Sequence, residues 1–332
     1  MGDAKTVRVP ARDLPVPSYL SPIAQTILAN PSYDGGPAAF PDQDDREGWR
    51  AHIRMAEAGL MPMLQQISPS SPAEVIERDL DGLCVFDVTP EDLPAGSGGV
   101  VLDLHGGGLF LCGGELCRLM AIGIATRLKT KVWSPDYRMP PDHPYPAALD
   151  DAMTAYRALL EQYDPSRIVV HGASAGGNLA AALILRARDE GLAMPAGAIL
   201  QTPEADLTES GDSFHVNLGV DPGLAPLMPV NLLYANGHDL TDPYLSPLFG
   251  DFTKGFPPTI LTTGTRDLFL SNTVRMHRAL RAADIPAELH VVEAAGHGNF
   301  SGAPEGDEID KEIRHFLESV LSQKTVTGGE GS

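Results

Sequence analysis

Cysteine is scarce in this chain of 332 residues, which contains only Cys84, Cys112 and Cys117. So small and odd a number, in a chain this long, excludes a disulfide scaffold. Cys112 and Cys117 stand close in sequence, but no second cluster of histidine and cysteine accompanies them, and a structural zinc site needs several convergent ligands. We therefore expect free thiols and no metal site.

Basic residues and long apolar runs are also few. The chain has 24 lysines and arginines against 44 aspartates and glutamates, and its net charge of −20 argues against nucleic acid or an anionic membrane as a partner. No apolar run reaches the roughly 18 residues of a membrane-spanning helix. The first residues, MGDAKTVRVP, lack the apolar segment of a signal peptide. We expect a cytoplasmic protein without a membrane span.

From about residue 99 onward, strand-like and helix-like segments alternate. Such alternation predicts an α/β fold with a mostly parallel central sheet flanked by helices on both faces. Upstream, Asp81 and Gly82 stand between alternating apolar residues and predict a hairpin that adds antiparallel strands at one edge. The strands of the alternating part are expected in GVVLDLHG, TKVWSPDYR, RIVVHG, AGAILQTP, PTILTTGTRD and AELHVVEA.

Two segments, 1–70 and 207–250, interrupt this alternation. The first contains REGWRAHIRMAEAGLMPMLQQI, whose periodicity predicts an amphipathic helix, and the second contains a short helix candidate around Met228 to Tyr234. Long irregular segments of compact domains are commonly functional, so we expect both to pack as a helical cap over the carboxyl edge of the sheet. The α/β domain then spans 71–323, and residues 324–332 form a disordered tail.

One serine lies in a sharp turn between a predicted strand and a predicted helix. The turn, GASAGG, spans 172–177, and Ser174 is its only reactive side chain. In a nucleophile elbow, such a turn presents the hydroxyl near the positive end of the following helix, and small flanking residues permit the tight backbone. In an ordinary turn from strand to helix, the same serine would only cap the helix. This pattern alone favours neither reading.

A glycine-rich loop after an earlier strand decides between the two readings. The segment LDLHGGGLF places His105 and three glycines directly after a buried run. Consecutive glycines let backbone N–H groups face a reacting oxygen, which is half of the oxyanion hole in α/β-hydrolases. We predict donors at Gly107, Gly108 and Ala175, with Gly106 shaping the turn and His105 supporting the loop by hydrogen bonding.

A serine nucleophile needs a base and an acid that orients the base, and their chain order in this fold is nucleophile, acid, histidine. His297 lies in a glycine-flanked loop between the last predicted strand and the last predicted helix. The other downstream histidines fall within a helix, a strand or the interrupting segment. Asp267 follows a buried run, while Asp242 and Asp284 are weaker candidates. We predict a triad of Ser174, His297 and Asp267.

These motifs resemble those of the bacterial hormone-sensitive-lipase-like esterases, whose signatures are HGGG and GDSAGG. The similarity covers about residues 75–320 and includes YRMPPDHPYPAALDDA from Tyr137. It implies an α/β-hydrolase fold with a helical cap, hydrolysis of short- to medium-chain acyl esters, no metal or organic cofactor, and a homodimer. GTRDLFLSNTVRMHRAL and DPYLSPLFGDF are similar to the branch that contains monoterpene ε-lactone hydrolases.

Two residues depart from the pattern of that family. Ala173 replaces the usual Asp before the nucleophile, and Glu204 stands where the family commonly has Trp. A Glu204 side chain that faced the pocket would repel anionic substrates, but we expect it to form a surface salt bridge instead. The same triad would serve a lactonase, an amidase or a deacetylase equally well. Some receptors of this fold bind a ligand without hydrolysing it, having lost the histidine, and the presence of His297 argues against that reading.

Overall fold

The computed structural model of the protein describes residues 6–33, 39–67, 72–95 and 97–322. The tail predicted for 324–332 lies outside the described residues. Within them, the strands are β1 (Ala73–Leu80), β2 (Leu83–Pro90), β3 (Val100–Leu104), β4 (Lys131–Pro135), β5 (Ile168–Ala173), β6 (Gly197–Gln201), β7 (Thr259–Gly264) and β8 (Ala287–Val292).

The helices connect these strands or lie outside the alternating part. They are α1 (Pro22–Ala29), α2 (Arg46–Ile67), α3 (Glu115–Leu128), α4 (Ala147–Leu160), α5 (Ala175–Asp189), α6 (Ser213–Val216), α7 (Met228–Ala235), α8 (Leu270–Ala282) and α9 (Pro304–Ser322). Among the helices of the described ranges, none has both the length and the apolar character needed to cross a membrane.

All eight strands belong to one sheet, in the order β1-β2-β4-β3-β5-β6-β7-β8. The strands from β3 to β8 run parallel, whereas β2 is antiparallel to both β1 and β4. Asp81 and Gly82 both have positive φ, at 54° and 94°, and connect the paired residues Leu80 and Leu83. The predicted hairpin is therefore confirmed, and with it the mostly parallel α/β-hydrolase sheet.

Helices cover both faces of the sheet, which explains why its central strands are continuous apolar runs. In β5, the side chains of Ile168 and Val170 pack toward α4, α5 and α8, and the side chain of Val169 packs toward α3 and α9. All three side chains are fully buried. Because both faces are closed, only the ends of the strands are left to carry a site, and the carboxyl ends of parallel strands meet at one edge.

A separate apolar cluster joins α2 to this edge. Trp49 of α2 is fully buried, and its ring centroid lies 5.9 Å from that of Phe110, which follows the glycine loop. Phe214 and Leu227, from the segment 207–250, belong to the same cluster. Helix α2 and the segment 207–250 thus pack together beside the glycine loop.

Candidate active site

Ser174 lies in the turn between β5 and α5, and its backbone is in the left-handed region with φ of 58°. A non-glycine residue rarely adopts this conformation, and where it does the surrounding structure must impose it. Packing at the turn is tight, because a Cβ on Gly176 would overlap the carbonyl of Leu104. The Ser174 side chain makes no hydrogen bond to cap α5. The hydrogen bond that a helix-capping role for Ser174 requires is therefore absent from the described residues.

The glycine loop follows β3 and packs against the turn that holds Ser174. Gly107 has φ of 124°, and a Cβ there would overlap the carbonyl of Leu111, so no other residue fits this position. Within the described residues, no acceptor is paired with the N–H of Gly107 or of Gly108. Ala175 begins α5, where the backbone N–H has no partner within the helix. The three predicted donors are therefore unpaired within the described fold.

His105 lies buried at the start of the glycine loop, only 1% exposed. Its Nδ1 is 2.8 Å from the carbonyl oxygen of Gly106, and its own carbonyl accepts a hydrogen bond from the hydroxyl of Tyr137 at 2.7 Å. The two rings stack with centroids 4.0 Å apart. Burial lowers the pKa of His105, which favours a neutral imidazole. These contacts are those of a side chain that supports the loop.

Asp267 and His297 come together at the carboxyl ends of β7 and β8. His297 Nδ1 lies 3.1 Å from Asp267 Oδ1. Oδ1 also accepts the backbone N–H of Phe269 at 2.8 Å, and the Thr263 hydroxyl donates to Oδ2 at 2.7 Å. Asp267 is fully buried, while the His297 side chain is 17% exposed. This arrangement fixes the carboxylate and directs it at one ring nitrogen of the histidine.

Asp221, which the sequence analysis did not identify, ties the two loops of this pair together. Its Oδ2 accepts the backbone N–H of Leu268 at 2.8 Å and that of His297 at 3.2 Å. Burial raises the pKa of Asp221, although its N–H donors and nearby His297 oppose the shift. Only the turn signal of Asp-Pro-Gly at 221–223 marks this residue in the sequence. Nothing in that signal links it to residues so distant in the chain.

The electrostatic surroundings of His297 favour its charged form. Burial by itself would lower the pKa of the imidazole, but the charge and hydrogen bond of Asp267, together with the charge of Asp221, raise the pKa above 6.5. Within the described residues, no hydrogen bond joins the Ser174 hydroxyl to His297. Such contacts are commonly long in resting enzymes and shorten in the reactive complex.

The weaker acid candidates are used elsewhere. Asp242 accepts the backbone N–H of Tyr244 at 2.8 Å within its own turn. Asp284 follows the end of α8 in a left-handed conformation with φ of 58°. Of the acids considered from the sequence, Asp267 is the one that contacts His297.

One group of side chains has the composition of a metal site. His105, Cys117 and Asp136 each place a donor atom within 4.8 Å of the other two. However, burial raises the pKa of the Cys117 thiol well above its ordinary value, and a thiol must lose its proton to bind a cation. Asp136 Oδ1 already accepts the N–H of Gly114 at 2.9 Å. We assign no metal to this group.

The expectation that Glu204 forms a surface salt bridge is wrong. Its side chain is 1% exposed, and it has no ion pair within the described residues. The residue follows β6, and its backbone N–H donates to the carbonyl of Ser174 at 3.1 Å. Burial and the charge of Glu209 raise the pKa of Glu204 to about 8, against a small opposing effect of Asn231. The carboxyl thus occupies a buried position at which the family commonly has Trp.

We expect Glu204→Gln to stabilise the protein, increasingly so as the pH rises. The folded chain keeps a proton that the unfolded chain releases near pH 4.5, so burial of Glu204 reduces stability between that pH and about 8. This loss of folding stability grows by about 1.4 kcal/mol per pH unit up to the pKa of Glu204 in the folded chain, and it is constant above that pKa. Urea unfolding at pH 5 and pH 8 measures it.

Glu91→Gln, at an exposed position, serves as the matched control for this substitution. It should change the free energy of unfolding little at either pH. Equal stability differences between Glu204→Gln and the wild type at both pH values would contradict a buried, protonated Glu204.

Comparison with known proteins places this geometry in a family. The family model described as alpha/beta hydrolase fold matches residues 101–301, more than half of the chain. Carboxylesterase NlhH of Mycobacterium tuberculosis is 34% identical over 299 residues, which cover 84% of this chain and 88% of that protein. An esterase of Acinetobacter venetianus is 32% identical over 248 residues, covering 71% of this chain and 79% of that one.

A solved structure agrees along nearly the whole chain. The crystal structure of esterase E25 superimposes with a TM-score of 0.85 at 37% identity, covering 95% of this chain and 98% of that one. The fold, the site and these relatives define a carboxylic ester hydrolase. The chain belongs to the α/β-hydrolase family, within its bacterial hormone-sensitive-lipase-like esterases, which confirms the resemblance seen in the motifs.

Proposed function

We propose that the protein hydrolyses short- to medium-chain acyl esters through a triad of Ser174, His297 and Asp267. The observation that carries this proposal is the contact between His297 Nδ1 and the buried Asp267 carboxylate, at the same sheet edge as the strained Ser174 turn. Because the carboxylate accepts at Nδ1, that nitrogen carries the ring proton. The other ring nitrogen, Nε2, is then free to act as a base.

The reaction follows from these positions. His297 Nε2 takes the proton of the Ser174 hydroxyl as its oxygen attacks the ester carbonyl, and Asp267 stabilises the resulting imidazolium. The N–H groups of Gly107, Gly108 and Ala175 would bind the oxygen that becomes negative. His297 returns the proton to the leaving alcohol, and a water molecule then repeats the sequence to release the acid. No step uses a metal or an organic cofactor.

The size of the acyl group depends on the segments outside the α/β core. We assign the described parts of residues 1–70, together with 207–250, to a cap, which the packing of Trp49 with Phe110, Phe214 and Leu227 supports. The large aromatic and aliphatic side chains of this cluster lie close to the glycine loop, which supports a preference for short- to medium-chain acyl groups. The lactonase branch, the homodimer and the cytoplasmic location stay predictions.

A chain-length series tests the proposal. The substrates are the p-nitrophenyl esters of acetate, butyrate, octanoate and palmitate, set beside a simple lactone and the p-nitroanilide of acetate. We expect the highest kcat/KM for acetate or butyrate and inactivation by phenylmethylsulfonyl fluoride, with the adduct mapped by mass spectrometry to Ser174. Faster cleavage of the anilide than of the ester would instead indicate an amidase, and an adduct on another serine would displace the triad.

A further inference from the structure

A cavity of about 410 Å³ lies on the face of the sheet that α3 and α9 cover; we call it the α3/α9 cavity. Its volume is within the range of small-molecule sites. Three of its lining residues, Gly106, Ala173 and Gly298, adjoin Gly107, Ser174 and His297 in the chain. Its lining therefore includes the chain neighbours of a predicted oxyanion donor, of the proposed nucleophile and of the proposed base.

Gly106 shows how thin the wall toward the nucleophile is. A Cβ built on Gly106 would lie 3.1 Å from the carbonyl oxygen of Ala173 and 3.6 Å from Ser174 Cβ. Because residue 106 is a glycine, no side chain at this position separates the cavity from the Ser174 turn. A group bound in the cavity would contact residues that directly neighbour Ser174 and His297 in the chain.

The position of the cavity identifies the part of the ester that it can accept. In the proposed mechanism, His297 gives its proton to the oxygen of the leaving alcohol, so that alcohol must lie on the His297 side of the ester carbonyl. The loop that directly follows His297 contributes Gly298, Asn299, Ser301 and Gly302 to the cavity. The His297 ring also contacts Phe269, with the two ring centroids 5.0 Å apart.

The walls of the cavity are suited to an uncharged, apolar group. Side chains of the helices supply an apolar lining, which includes Met63, Leu119, Met120, Ile124 and Ile309. Such a lining favours an apolar alcohol over a polar one, and the cavity volume leaves room for a bulky one.

Most polar side chains of the cavity are paired, but His105 Nε2 and Asn299 Oδ1 are buried without a hydrogen-bond partner among the described residues. Asp103 Oδ1 lies 2.6 Å from His171 Nδ1, and His171 Nε2 lies 2.8 Å from Gln201 Oε1. Arg127 pairs with Asp310 at 3.3 Å. The paired groups do not require a polar ligand, whereas His105 Nε2 and Asn299 Oδ1 can each bind a single polar group on an otherwise apolar ligand. Exposed Asp307, also in the lining, disfavours an anionic one.

We propose that the α3/α9 cavity binds the alcohol portion of the substrate, a bulky neutral secondary or cyclic alcohol, and that Gly123 and Ala173 set its size. This inference depends on the proposed triad. Gly123 lies in the middle of α3, where glycine weakens a helix by about 1 kcal/mol relative to alanine. A Cβ added there would meet no atom within 4 Å. At the inner end, Ala173 takes the place of the larger, charged Asp usual in the family.

Esters that differ only in the alcohol test this inference. We compare kcat/KM for cyclohexyl acetate and ethyl acetate in the wild type and in Gly123→Leu, whose added side chain fills the cavity without a backbone clash. The ratio of cyclohexyl to ethyl acetate should fall at least about tenfold, as expected for loss of a well-filled apolar site. Ala173→Val should lower the same ratio from the inner end. The ratio of ethyl hexanoate to ethyl acetate should keep its wild-type value in both variants.

Gly59→Leu is the matched control, because Gly59 also lies in a helix with no atom within 4 Å of an added Cβ and is outside the cavity lining. It should preserve all three activities. Equal losses on both acetates in Gly123→Leu, or a loss that follows acyl length, would overturn the assignment. So would a changed ratio in Ala173→Val alone, since that variant also borders Ser174.

Binding of cyclohexanol separates this inference from the proposed function, since it requires no turnover. Ligand-detected NMR should show binding to the wild type and weaker binding, by about tenfold or more, to Gly123→Leu. A wild type that hydrolyses none of the esters but binds cyclohexanol in a Gly123-dependent way would refute the triad and keep the cavity. A wild type that hydrolyses ethyl acetate but binds cyclohexanol no better than Gly123→Leu does would refute the cavity alone.

Discussion

Ser174→Ala is expected to lower kcat for p-nitrophenyl butyrate about 10⁶-fold, as removal of the nucleophile does in serine hydrolases that work through a triad. Some acceleration over the uncatalysed reaction should persist, because the N–H donors still bind the oxyanion. The hydroxyl makes no hydrogen bond that caps α5, so the substitution removes chemistry and little structure. Steady-state kinetics at high enzyme concentration measures kcat, and a thermal melt measures the fold.

Ser319→Ala provides the control, since Ser319 is exposed on α9 and its hydroxyl donates to the carbonyl of Phe316 in its own helix. Activity and Tm should both match the wild type. If Ser174→Ala keeps substantial activity, the nucleophile is another residue. If it loses activity together with several degrees of Tm, the serine supports the fold and the kinetic loss says nothing about its role in the reaction.

The central strands of the sheet were predictable because they are short apolar runs closed by helices on both faces. Val100–Leu104 and Thr259–Gly264 are buried along their whole length, and such runs differ clearly from the periodic helices between them. The order of strands was not predictable in the same way. That β4 lies between β2 and β3 depends on long-range packing, and local periodicity carries no information on which strands become neighbours.

In the candidate site, too, residues in local motifs were predictable, whereas residues defined by long-range contacts were not. Ser174, Asp267 and His297 were predicted from turn motifs and chain order, and the structure brings Asp267 and His297 into contact. Asp221 was missed because its role lies in two backbone contacts across 47 and 76 residues. Glu204 was misread because a charged side chain is ordinarily exposed, and only the packing around Ser174 shows that this one is buried.

The two substitutions of Asp267 should differ in a way that separates charge from geometry. Asp267→Ala removes every contact of the carboxylate, and we expect kcat to fall about 10⁴-fold, as on loss of the acid in related triads. In Asp267→Asn, the amide oxygen can still accept from Phe269 and His297, and the amide nitrogen can donate to the Thr263 hydroxyl. This variant keeps the ring orientation and loses only the charge, so its kcat should lie between those of Asp267→Ala and the wild type.

The pH profile of kcat/KM tests whether the charge of Asp267 acts on His297. His297 must be neutral to accept the proton, so activity falls as the pH drops through its pKa, which Asp267 and Asp221 raise above 6.5 in the wild type. Asp267→Asn removes the larger of these two charges from the histidine. Its acidic limb should therefore move to lower pH. An acidic limb at the wild-type position in Asp267→Asn would show that the group titrating in the free enzyme is not His297, and the assignment of the base would fail with it.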